Sequence, residues 1–434
     1  MIDVAVIGSG ISGLSIAWHL SKRGYDVLIF EKEEVAGGNI QTLRRDGYIL
    51  ELGPQTILAD GKVEAFLKDV GIEPEYANDD AKIRYVYKKG RLIPLPLSPL
   101  SFFLSPLLSF GGKLRVLREP FLSPSVKSEE SIGEFVRRRL GKEFLDYVVA
   151  PFISGVYAGD PDKLSVKYAV KKVYELEQRF GSLIKGALKL RALGPGGRLI
   201  SFKGGNHSLI EHLTSRLKVE KENVVLKIRH KEDRFLIDAK GGKYEARSVV
   251  ITAPATSAGY LLRDISWSAS EEFDKVYYAP ILVVHAVVEK GSVPRGFGFL
   301  VPRVEGKRLL GVLFSSQLFE GRAPEGKELL TLYLGGATDP EVIDYEDERV
   351  YSLAEKELKE ILGVQKVEFL NLTRWKKAIP QYTLGYGKYL RLAETLEEEN
   401  PGLFLAGNYL YGISVADCIR ASYERAERVM HKRT

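Results

Sequence analysis

The first 31 residues hold the feature that most constrains this fold: an apolar run, a glycine turn, a helical stretch and a second apolar run that ends in an acid. Residues 2–7 are rich in β-branched side chains and predict a buried parallel strand. Gly8, Gly10 and Gly13 follow with G-x-G-x-x-G spacing. Gly8 permits a tight turn, Gly10 lets the backbone approach a pyrophosphate, and Gly13 lets the helix pack close to the strand. The order of these parts predicts a Rossmann-type dinucleotide site rather than a glycine turn without a ligand.

The residues around this turn extend the predicted site. Ile11 and Ser12 open the helix, whose first N–H groups and positive dipole end can bind phosphate. Glu31 ends the second apolar run, 23 positions after Gly8, and can accept hydrogen bonds from ribose hydroxyls. Its charge would repel a 2′-phosphate, and Lys32, which follows it, is included in the predicted site.

Composition excludes several other classes of protein. The 434 residues leave room for two or three domains, and the net charge of +6 is spread along the chain, with no nucleic-acid footprint. The six histidines and one cysteine include no metal-ligand spacing, so we predict no metal site. A single cysteine, Cys418, cannot form an internal disulfide and favours a reducing compartment, the cytoplasm.

A second notable segment is the uncharged run of residues 92–110, 19 residues long, which contains four prolines. Its length alone would suggest a membrane span, but the prolines argue against one continuous helix. Lys113, Arg115 and Arg118 follow closely. The segment is either a lobe that enters one leaflet of an anionic membrane, or a buried helical subdomain or the wall of an apolar tunnel.

The remaining pattern indicates α/β architecture with a discontinuous nucleotide domain. Residues 132–193 have helical spacing, and Leu193 to Gly197 form a break that predicts a domain boundary. A helix with Leu209, Ile210, Leu213 and Leu217 on one face is followed by strand-like runs at 224–228, 234–238 and 249–251. Runs at 281–288, 309–314 and 329–334 predict a second sheet. Residues 402–407 form another buried strand ending in glycine, with a helix after it.

Further motifs narrow the cofactor and the family. Three more segments predict a close turn or a strand end near the nucleotide: Gly37-Gly38-Asn39, Gly53-Pro54 and Ala253-Pro254. With the opening motif they resemble the FAD-dependent amine-oxidase superfamily, and within it the protoporphyrinogen oxidase family. The narrower resemblance rests on four stretches: residues 151–160 with Lys163-Leu164-Ser165, residues 202–205, residues 379–382, and Gly407-Asn408-Tyr409 through Cys418.

This resemblance implies oxidation of a porphyrinogen to a porphyrin in haem synthesis, a six-electron reaction in which FAD accepts the hydrogens and dioxygen reoxidises it. It implies no catalytic side chain, because the flavin supplies the chemistry. The pyrophosphate is expected on Gly8 to Gly13, the ribose on Glu31 and the adenine near Ile228. Gly407 and Val415 are expected near the flavin, with Cys418 packed beside it rather than acting as a nucleophile.

Substrate residues also carry over from the resemblance. Gly155 matches the pocket glycine whose missing side chain leaves room for the macrocycle, while Phe297, Leu300 and Tyr333 match residues that line the tetrapyrrole site. Ordinary core packing is the alternative for these three side chains.

One position departs from the family pattern. Many members carry an arginine after the early Gly-Pro, where it holds a propionate, whereas this chain has Gln55. Lys62 is the candidate replacement; the alternative is a solvated surface charge. The departure leaves open whether the substrate is protoporphyrinogen IX, with two propionates, or coproporphyrinogen III, with four.

The expected architecture therefore has three parts: a Rossmann-type FAD-binding domain (1–55, 198–262 and 397–434), a mixed-sheet substrate domain (56–88 and 263–396), and a helical lobe (89–197). Whether this lobe contacts a membrane stays open. A homodimer and a peripheral position on the cytoplasmic face of the cell membrane stay open. The alternatives are another flavin oxidoreductase, of the amine oxidase or carotenoid desaturase type, and a non-catalytic carrier of the same fold.

Overall fold

The computed structural model describes residues 1–125, 127–190 and 196–431. Within them the strands are β1 (Ile2–Ile7), β2 (Val27–Phe30), β3 (Thr42–Arg45), β4 (Tyr48–Glu51), β5 (Ile57–Ala59), β6 (Glu75–Tyr76), β7 (Arg84–Lys88), β8 (Arg91–Pro94), β9 (Arg198–Ser201), β10 (Val219–Glu220), β11 (Val225–Lys231), β12 (Arg234–Ala239), β13 (Gly242–Ile251), β14 (Tyr278–Glu289), β15 (Gly298–Leu300), β16 (Leu309–Leu313), β17 (Lys327–Gly335), β18 (Glu368–Pro380) and β19 (Leu403–Leu405). The helices are α1 (Ile11–Ser21), α2 (Gly61–Val70), α3 (Pro99–Leu104), α4 (Phe110–Leu117), α5 (Ile132–Arg139), α6 (Lys142–Phe144), α7 (Ala150–Tyr157), α8 (Val166–Ala169), α9 (Lys171–Phe180), α10 (Leu183–Leu190), α11 (His207–Thr214), α12 (Ala255–Leu261), α13 (Trp267–Asp274), α14 (Ser315–Leu318), α15 (Asp347–Leu362), α16 (Gly387–Glu399), α17 (Asn408–Tyr411) and α18 (Val415–His431).

The first sheet confirms the predicted α/β nucleotide fold. β1 lies at its centre with parallel neighbours β2 and β13; β10 extends the sheet beyond β2, and β19 runs parallel to the end of β13. β12 and β11 continue from the first half of β13 as an antiparallel meander. Helices α1 and α18 pack together on the same core cluster. The beginning and the end of the chain therefore build one sheet.

The second sheet is mixed, as predicted, with strand order β18-β14-β17-β16-β15-β7-β8. Its central strand β14 is buried over almost its whole length, which explains its continuous apolar sequence. On one face it packs against apolar residues of α15. The opposite face meets the segment that follows β4, and this contact positions the site described below.

A helical lobe spans α3 to α10, and its core is built from apolar residues of α5, α7 and their neighbours. Residues 92–110 do not form one helix: they give the end of β8, then α3, then the start of α4, with Ser98 and Ser109 capping the two helices. No helix in the described part of the chain is both long and apolar enough to cross a bilayer.

The structure refines several predicted boundaries. The helix predicted through Leu217 ends at Thr214, and the helical run from 132 is interrupted between α7 and α8. Residues 57–70, which the sequence grouped with the substrate domain, pack in the cofactor-side core with Leu14. Residues 193–195 of the predicted break lie outside the described residues, and the three-part division stays a prediction.

Candidate active site

The glycine turn after β1 has the geometry that its spacing predicts. Gly8 adopts a φ of +108°, in the left-handed region that favours glycine. A Cβ on Gly13 would lie 2.1 Å from the Gly8 carbonyl oxygen and 2.7 Å from Thr252 Oγ1, so only glycine allows α1 this close to β1. A Cβ on Gly10, by contrast, would meet no atom within 4 Å. Gly10 also provides no side-chain cap, so the start of α1 faces open space with N–H groups available to a phosphate.

Glu31 is held beside this turn by three hydrogen bonds. Ser9 donates its backbone N–H (3.0 Å) and its hydroxyl (2.5 Å) to Glu31 Oε2, and the N–H of Glu33 donates to Oε1 at 2.9 Å. Glu31 is only 8% exposed, so its carboxylate has one orientation. Lys32 points to the surface and pairs with Glu33 at 2.9 Å.

The Gly37-Gly38-Asn39 segment lies against the same turn. The Gly37 N–H donates to the Ser9 carbonyl oxygen at 3.0 Å, and Gly37 forms a parallel bridge with Gly10. Gly37 and Gly38 both have positive φ. A Cβ on Gly53 would lie 1.9 Å from the Asn39 carbonyl oxygen, so this glycine permits close approach of the loop carrying Gly53 and Pro54.

The carboxyl ends of β13 and β19 reach the same edge of the sheet. The Thr252 N–H donates to the Ile7 carbonyl at 2.9 Å, which places Ala253 and Pro254 next to the glycine turn. Gly407 follows β19, and a Cβ on it would lie 3.6 Å from the Thr252 carbonyl oxygen. Val415 begins α18 and shares a core cluster with Ile11. Ligands of open α/β sheets bind at this edge.

Cys418 lies in the first turns of α18, beside Ser12. Burial raises the pKa of the Cys418 thiol to about 11, and a hydrogen bond from Ser12 opposes this shift. The thiol is therefore neutral, and its environment is that of a packed side chain rather than a nucleophile.

Ile228 lies in β11, the outermost strand of the first sheet. It is 0% exposed and lies in a core cluster with Phe30 and Ile251. Its place near the adenine stays a prediction.

The structure brings three predicted substrate residues together. A Cβ on Gly155, in α7, would lie 2.7 Å from Leu300 Cδ2, and a Cβ on Gly311 would lie 3.1 Å from the same atom. Gly311 is in turn paired with Tyr333 across β16 and β17. Phe152, one turn before Gly155, and Val156, directly after it, are exposed on α7. These residues form an apolar wall suited to a flat ring.

Phe297 packs against Ala81, Leu318 and Phe319, beside a cation that the sequence did not single out. The guanidinium carbon of Arg84 is 4.7 Å from the centre of the Phe297 ring, and Arg84 pairs with Gly298, two residues before Leu300. Burial lowers the pKa of Arg84 from its usual value, yet the group stays charged at neutral pH. Among the described residues no carboxylate forms an ion pair with Arg84. No local pattern marks Arg84, because its partner Phe297 is more than 200 positions away.

Lys62, the predicted replacement for the missing arginine, lies elsewhere. It is exposed in the first turn of α2, where its backbone N–H bonds to the carboxylate of Asp60 at 3.1 Å. This helix packs chiefly on β5 and α18. The structure thus offers Arg84, rather than Lys62, as the cation of the apolar wall.

Gln55 lies buried where the loop after β4 meets the second sheet. Its Nε2 donates to the Glu51 carbonyl oxygen at 2.6 Å, and its Oε1 accepts from Thr331 Oγ1 at 3.2 Å. Its side chain is also hydrogen-bonded to Tyr333, two residues along β17 on the same face. Burial raises the pKa of Tyr333, so the phenol stays protonated.

Two further contacts fix this loop on the sheet. Trp375 Nε1 donates to the Leu52 carbonyl oxygen at 2.6 Å. His285 Nε2 lies 3.1 Å from the carbonyl oxygen of Glu51. Burial lowers the pKa of His285 to about 4, so the ring is neutral and donates from Nε2. The loop carrying Gly53 and Pro54 is therefore held in register with the strand carrying Tyr333.

Comparisons with known proteins cover nearly the whole chain. A model of the family described as flavin containing amine oxidoreductase matches residues 11–430. The chloroplastic protoporphyrinogen oxidase of Nicotiana tabacum is 34% identical over 99% of this chain and 85% of its own length. The coproporphyrinogen III oxidase of Bacillus subtilis is 30% identical over 96% of this chain and 95% of its own length.

Solved structures share the fold. One from Exiguobacterium sp. 255-15 superposes with a TM-score of 0.84 at 24% identity, covering 99% of each chain. Reduced UDP-galactopyranose mutase superposes with a TM-score of 0.77 at 16% identity, covering 99% of this chain and 96% of its own. At these identities the likeness extends to the fold alone.

Proposed function

This chain belongs to the flavin containing amine oxidoreductase family, and from that premise we propose that it oxidises a porphyrinogen to the porphyrin in haem biosynthesis. Relatives named protoporphyrinogen oxidase and coproporphyrinogen III oxidase match nearly the whole chain. The cofactor is FAD. When bound, it supplies the acceptor for the hydrogens that the macrocycle loses.

The residues of the glycine turn fit this cofactor. Gly8, Gly10 and Gly13 leave a cradle at the start of α1 for the pyrophosphate, and Glu31 is fixed beside it to accept from the ribose hydroxyls. Gly37, Gly38, Asn39, Gly53 and Pro54 continue the cradle along the cofactor. Ala253, Pro254, Gly407 and Val415 are the candidates at the sheet edge nearest the flavin.

The observation that carries the substrate assignment is Arg84 beside an apolar wall. The uncharged surface is formed by Gly155, Leu300 and Tyr333. The guanidinium of Arg84 lies over the Phe297 ring and has no carboxylate partner among the described residues. A flat apolar ring with carboxylates at its edge matches both features. The chain's own part in the reaction is therefore to hold the ring at the wall and to orient it through Arg84.

Anaerobic reduction of the purified flavoprotein tests this proposal. We expect protoporphyrinogen IX or coproporphyrinogen III to bleach the flavin absorbance, and primary amines and carotenoid polyenes to leave it oxidised. Bleaching by an amine or a polyene alone would assign the chain to another oxidase of the family. A protein that purifies without flavin and binds none would favour a non-catalytic carrier.

The setting of the reaction forms a second part of the proposal. We propose dioxygen as the electron acceptor, three equivalents being needed for the six electrons, and the cytoplasm as the compartment. The single cysteine supports a reducing compartment. Oxygen uptake per porphyrin formed measures the first point, and light scattering of the holoenzyme determines whether it is a homodimer.

We further propose that the helical lobe binds the surface of an anionic membrane. Side chains of α3, α4 and their flanks are exposed although apolar: Leu97, Leu100, Leu104, Phe110 and Phe121 are 70–87% exposed. Between residues 92 and 128 the sequence has one acid, Glu119, and this acid is buried against Ser182 and Arg139. The other charges in this range are cations: Arg118 is exposed, Lys113 and Arg115 are partly exposed, and the exposed Lys127 pairs with Glu134. Cations at such a surface suit anionic headgroups.

Vesicle co-sedimentation tests this surface. We expect the holoenzyme to bind phosphatidylglycerol-containing vesicles and to be released by salt and by the double substitution Leu100→Ser/Leu104→Ser. Leu226→Ser, at an exposed leucine of β11, is the matched control and should keep binding. Equal recovery in the supernatant with and without anionic vesicles would assign the lobe to another role.

A further inference from the structure

The helical lobe is joined to the second sheet by one largely buried lysine. Lys88 ends β7, and its side chain is 11% exposed. Its Nζ donates to the Leu107 carbonyl oxygen at 2.7 Å and to Glu143 Oε1 at 3.3 Å. It also lies 4.1 Å from the centre of the Tyr147 ring. Together with Ser109, which binds Glu143, these side chains form the Lys88 clasp between lobe and sheet.

On the lobe side, the clasp holds the segment that connects α3 and α4. Ser109 donates its backbone N–H (2.9 Å) and its hydroxyl (2.6 Å) to the two carboxylate oxygens of Glu143. The same hydroxyl accepts from the Gly112 N–H at 3.1 Å and so caps α4. Leu107 is 2% exposed and packs in a small core with side chains of β7 and β8. The two helices that bear the exposed apolar side chains are therefore attached to Lys88.

On the sheet side, the clasp belongs to the strand that carries Arg84. Side chains alternate between the two faces of a strand, so Arg84, Val86 and Lys88 share one face of β7. Val86 is buried on this face with Leu107 of the lobe. Lys88 therefore holds the lobe against the face of the sheet that presents Arg84.

The clasp also holds the beginning of the helical segment that ends at the apolar wall. Residues 142–157 form α6, one turn of π-helix (Leu145–Val149) and α7 without a break. Tyr147 contacts Lys88 from the π-helical turn, and Gly155 of the wall lies about two turns further along the same segment. A restraint on Glu143 or Tyr147 is therefore also a restraint on α7.

We infer that the Lys88 clasp couples the exposed apolar surface of the lobe to the substrate wall, so that binding of an anionic membrane restrains α7. The inference rests on the membrane contact and the substrate wall of the proposed function. A bilayer that orders α3 and α4 also fixes Ser109, which shares its hydrogen bonds with Glu143 and, through Glu143, with Lys88. Local opening then becomes rarer in the helical segment that carries Gly155.

Hydrogen exchange of the holoenzyme, read by mass spectrometry with and without phosphatidylglycerol vesicles, measures this coupling. We expect the amides of residues 145–157 to exchange at least about fivefold more slowly on vesicles. Leu100→Ser/Leu104→Ser, which is expected not to bind, reports exchange in the same suspension without membrane contact. Vesicle binding with unchanged exchange in 145–157 overturns the inference and leaves the membrane proposal intact. Absence of vesicle binding overturns both, whereas flavin reduction by a porphyrinogen tests the catalytic proposal separately.

Substitutions within the clasp identify the path of the coupling. Lys88→Met keeps the length of the side chain and removes its charge, so this variant should bind vesicles but lose the slowing in residues 145–157. Glu143→Gln, at a partly exposed position, is a milder change and should lose part of it. Lys89→Met, at the exposed neighbour, is the matched control and should keep it. Flavin content and circular dichroism confirm that each variant is folded. Slowing equal to that of the wild type in both clasp variants would overturn the inference.

Discussion

At the scale of single residues, Ser9 and Glu31 show how the glycine turn is completed by chemistry that the motif does not state. The motif accepts any residue between Gly8 and Gly10. In this chain the residue is Ser9, and its hydroxyl donates to Glu31, which directly follows β2. A carboxylate fixed in this way does not lose side-chain entropy when ribose binds.

Glu31→Ala is expected to weaken FAD retention without unfolding the chain. The change removes the ribose acceptor and leaves Ser9 with one fewer partner, so we expect the dissociation constant to rise at least about tenfold. Fluorescence titration of the apoprotein with FAD measures the change, and circular dichroism checks the fold. Glu34→Ala, at an exposed glutamate three residues on, is the control and should bind like the wild type. Full flavin occupancy in Glu31→Ala would refute the assignment.

Glu51 provides a pH dependence at the same scale. Burial raises the pKa of its carboxyl to about 7, and the hydrogen bonds from Thr42 and Asn206 only partly oppose this. The folded state therefore binds a proton that the unfolded chain has released above about pH 4.3. Its contribution to stability is full at low pH and is lost as the pH rises toward 7, by up to about 3 kcal/mol.

Denaturant unfolding from pH 5 to 8 tests Glu51. In Glu51→Gln the amide oxygen still accepts from Asn206, and the Thr42 hydroxyl can rotate to accept from the amide nitrogen. We expect this variant to lose part of the decline in unfolding free energy between pH 5 and 7. Glu325→Gln, at an exposed glutamate, should keep the decline. Identical pH profiles for wild type and Glu51→Gln would exclude this carboxyl as the source.

At the scale of elements, the helical lobe depends on a buried ion network. Arg139 of α5 is fully buried, with Nε 2.6 Å from Glu177 Oε1 of α9, and it donates to the Leu122 carbonyl oxygen at 2.8 Å. Glu119 accepts from Ser182 Oγ and from the Leu183 N–H, so it also caps the start of α10. Four segments of the lobe thus meet at one guanidinium.

Arg139→Met should destabilise the lobe by about 3–5 kcal/mol, because it removes the buried cation beside Glu119 and leaves Glu177 with Arg138 alone. Arg137→Met, two residues earlier, removes an exposed pair with Asp162 and should cost about 1 kcal/mol or less. Denaturant unfolding gives both values, and limited proteolysis locates the loss in the lobe. Flavin content should stay constant, since neither arginine lies in the cofactor cradle. A smaller effect for Arg139 than for Arg137 would contradict this account.

At the scale of the whole molecule, the sequence predicted what local patterns determine. The strand, turn and helix around Gly8 followed from residue spacing, and so did the strands of the second sheet. Arg84, His285 and Trp375 escaped prediction because each acts through a partner distant in the chain. Gln55 was recognised as a departure, but its role depends on Thr331 and Tyr333, which fold against it from another sheet.

The proposed FAD cradle draws on residues 8–54, 253–254 and 407–415, so cofactor binding should stabilise the molecule as a unit. A ligand that binds only the folded state adds about 2.7 kcal/mol to the unfolding free energy at a hundred times its dissociation constant. We therefore expect the melting temperature of the apoprotein to rise progressively as FAD is added. Riboflavin, which lacks the pyrophosphate and the ribose that Glu31 is proposed to hold, should raise it much less. An unchanged melting temperature in excess FAD would mean that these three stretches do not form an FAD site.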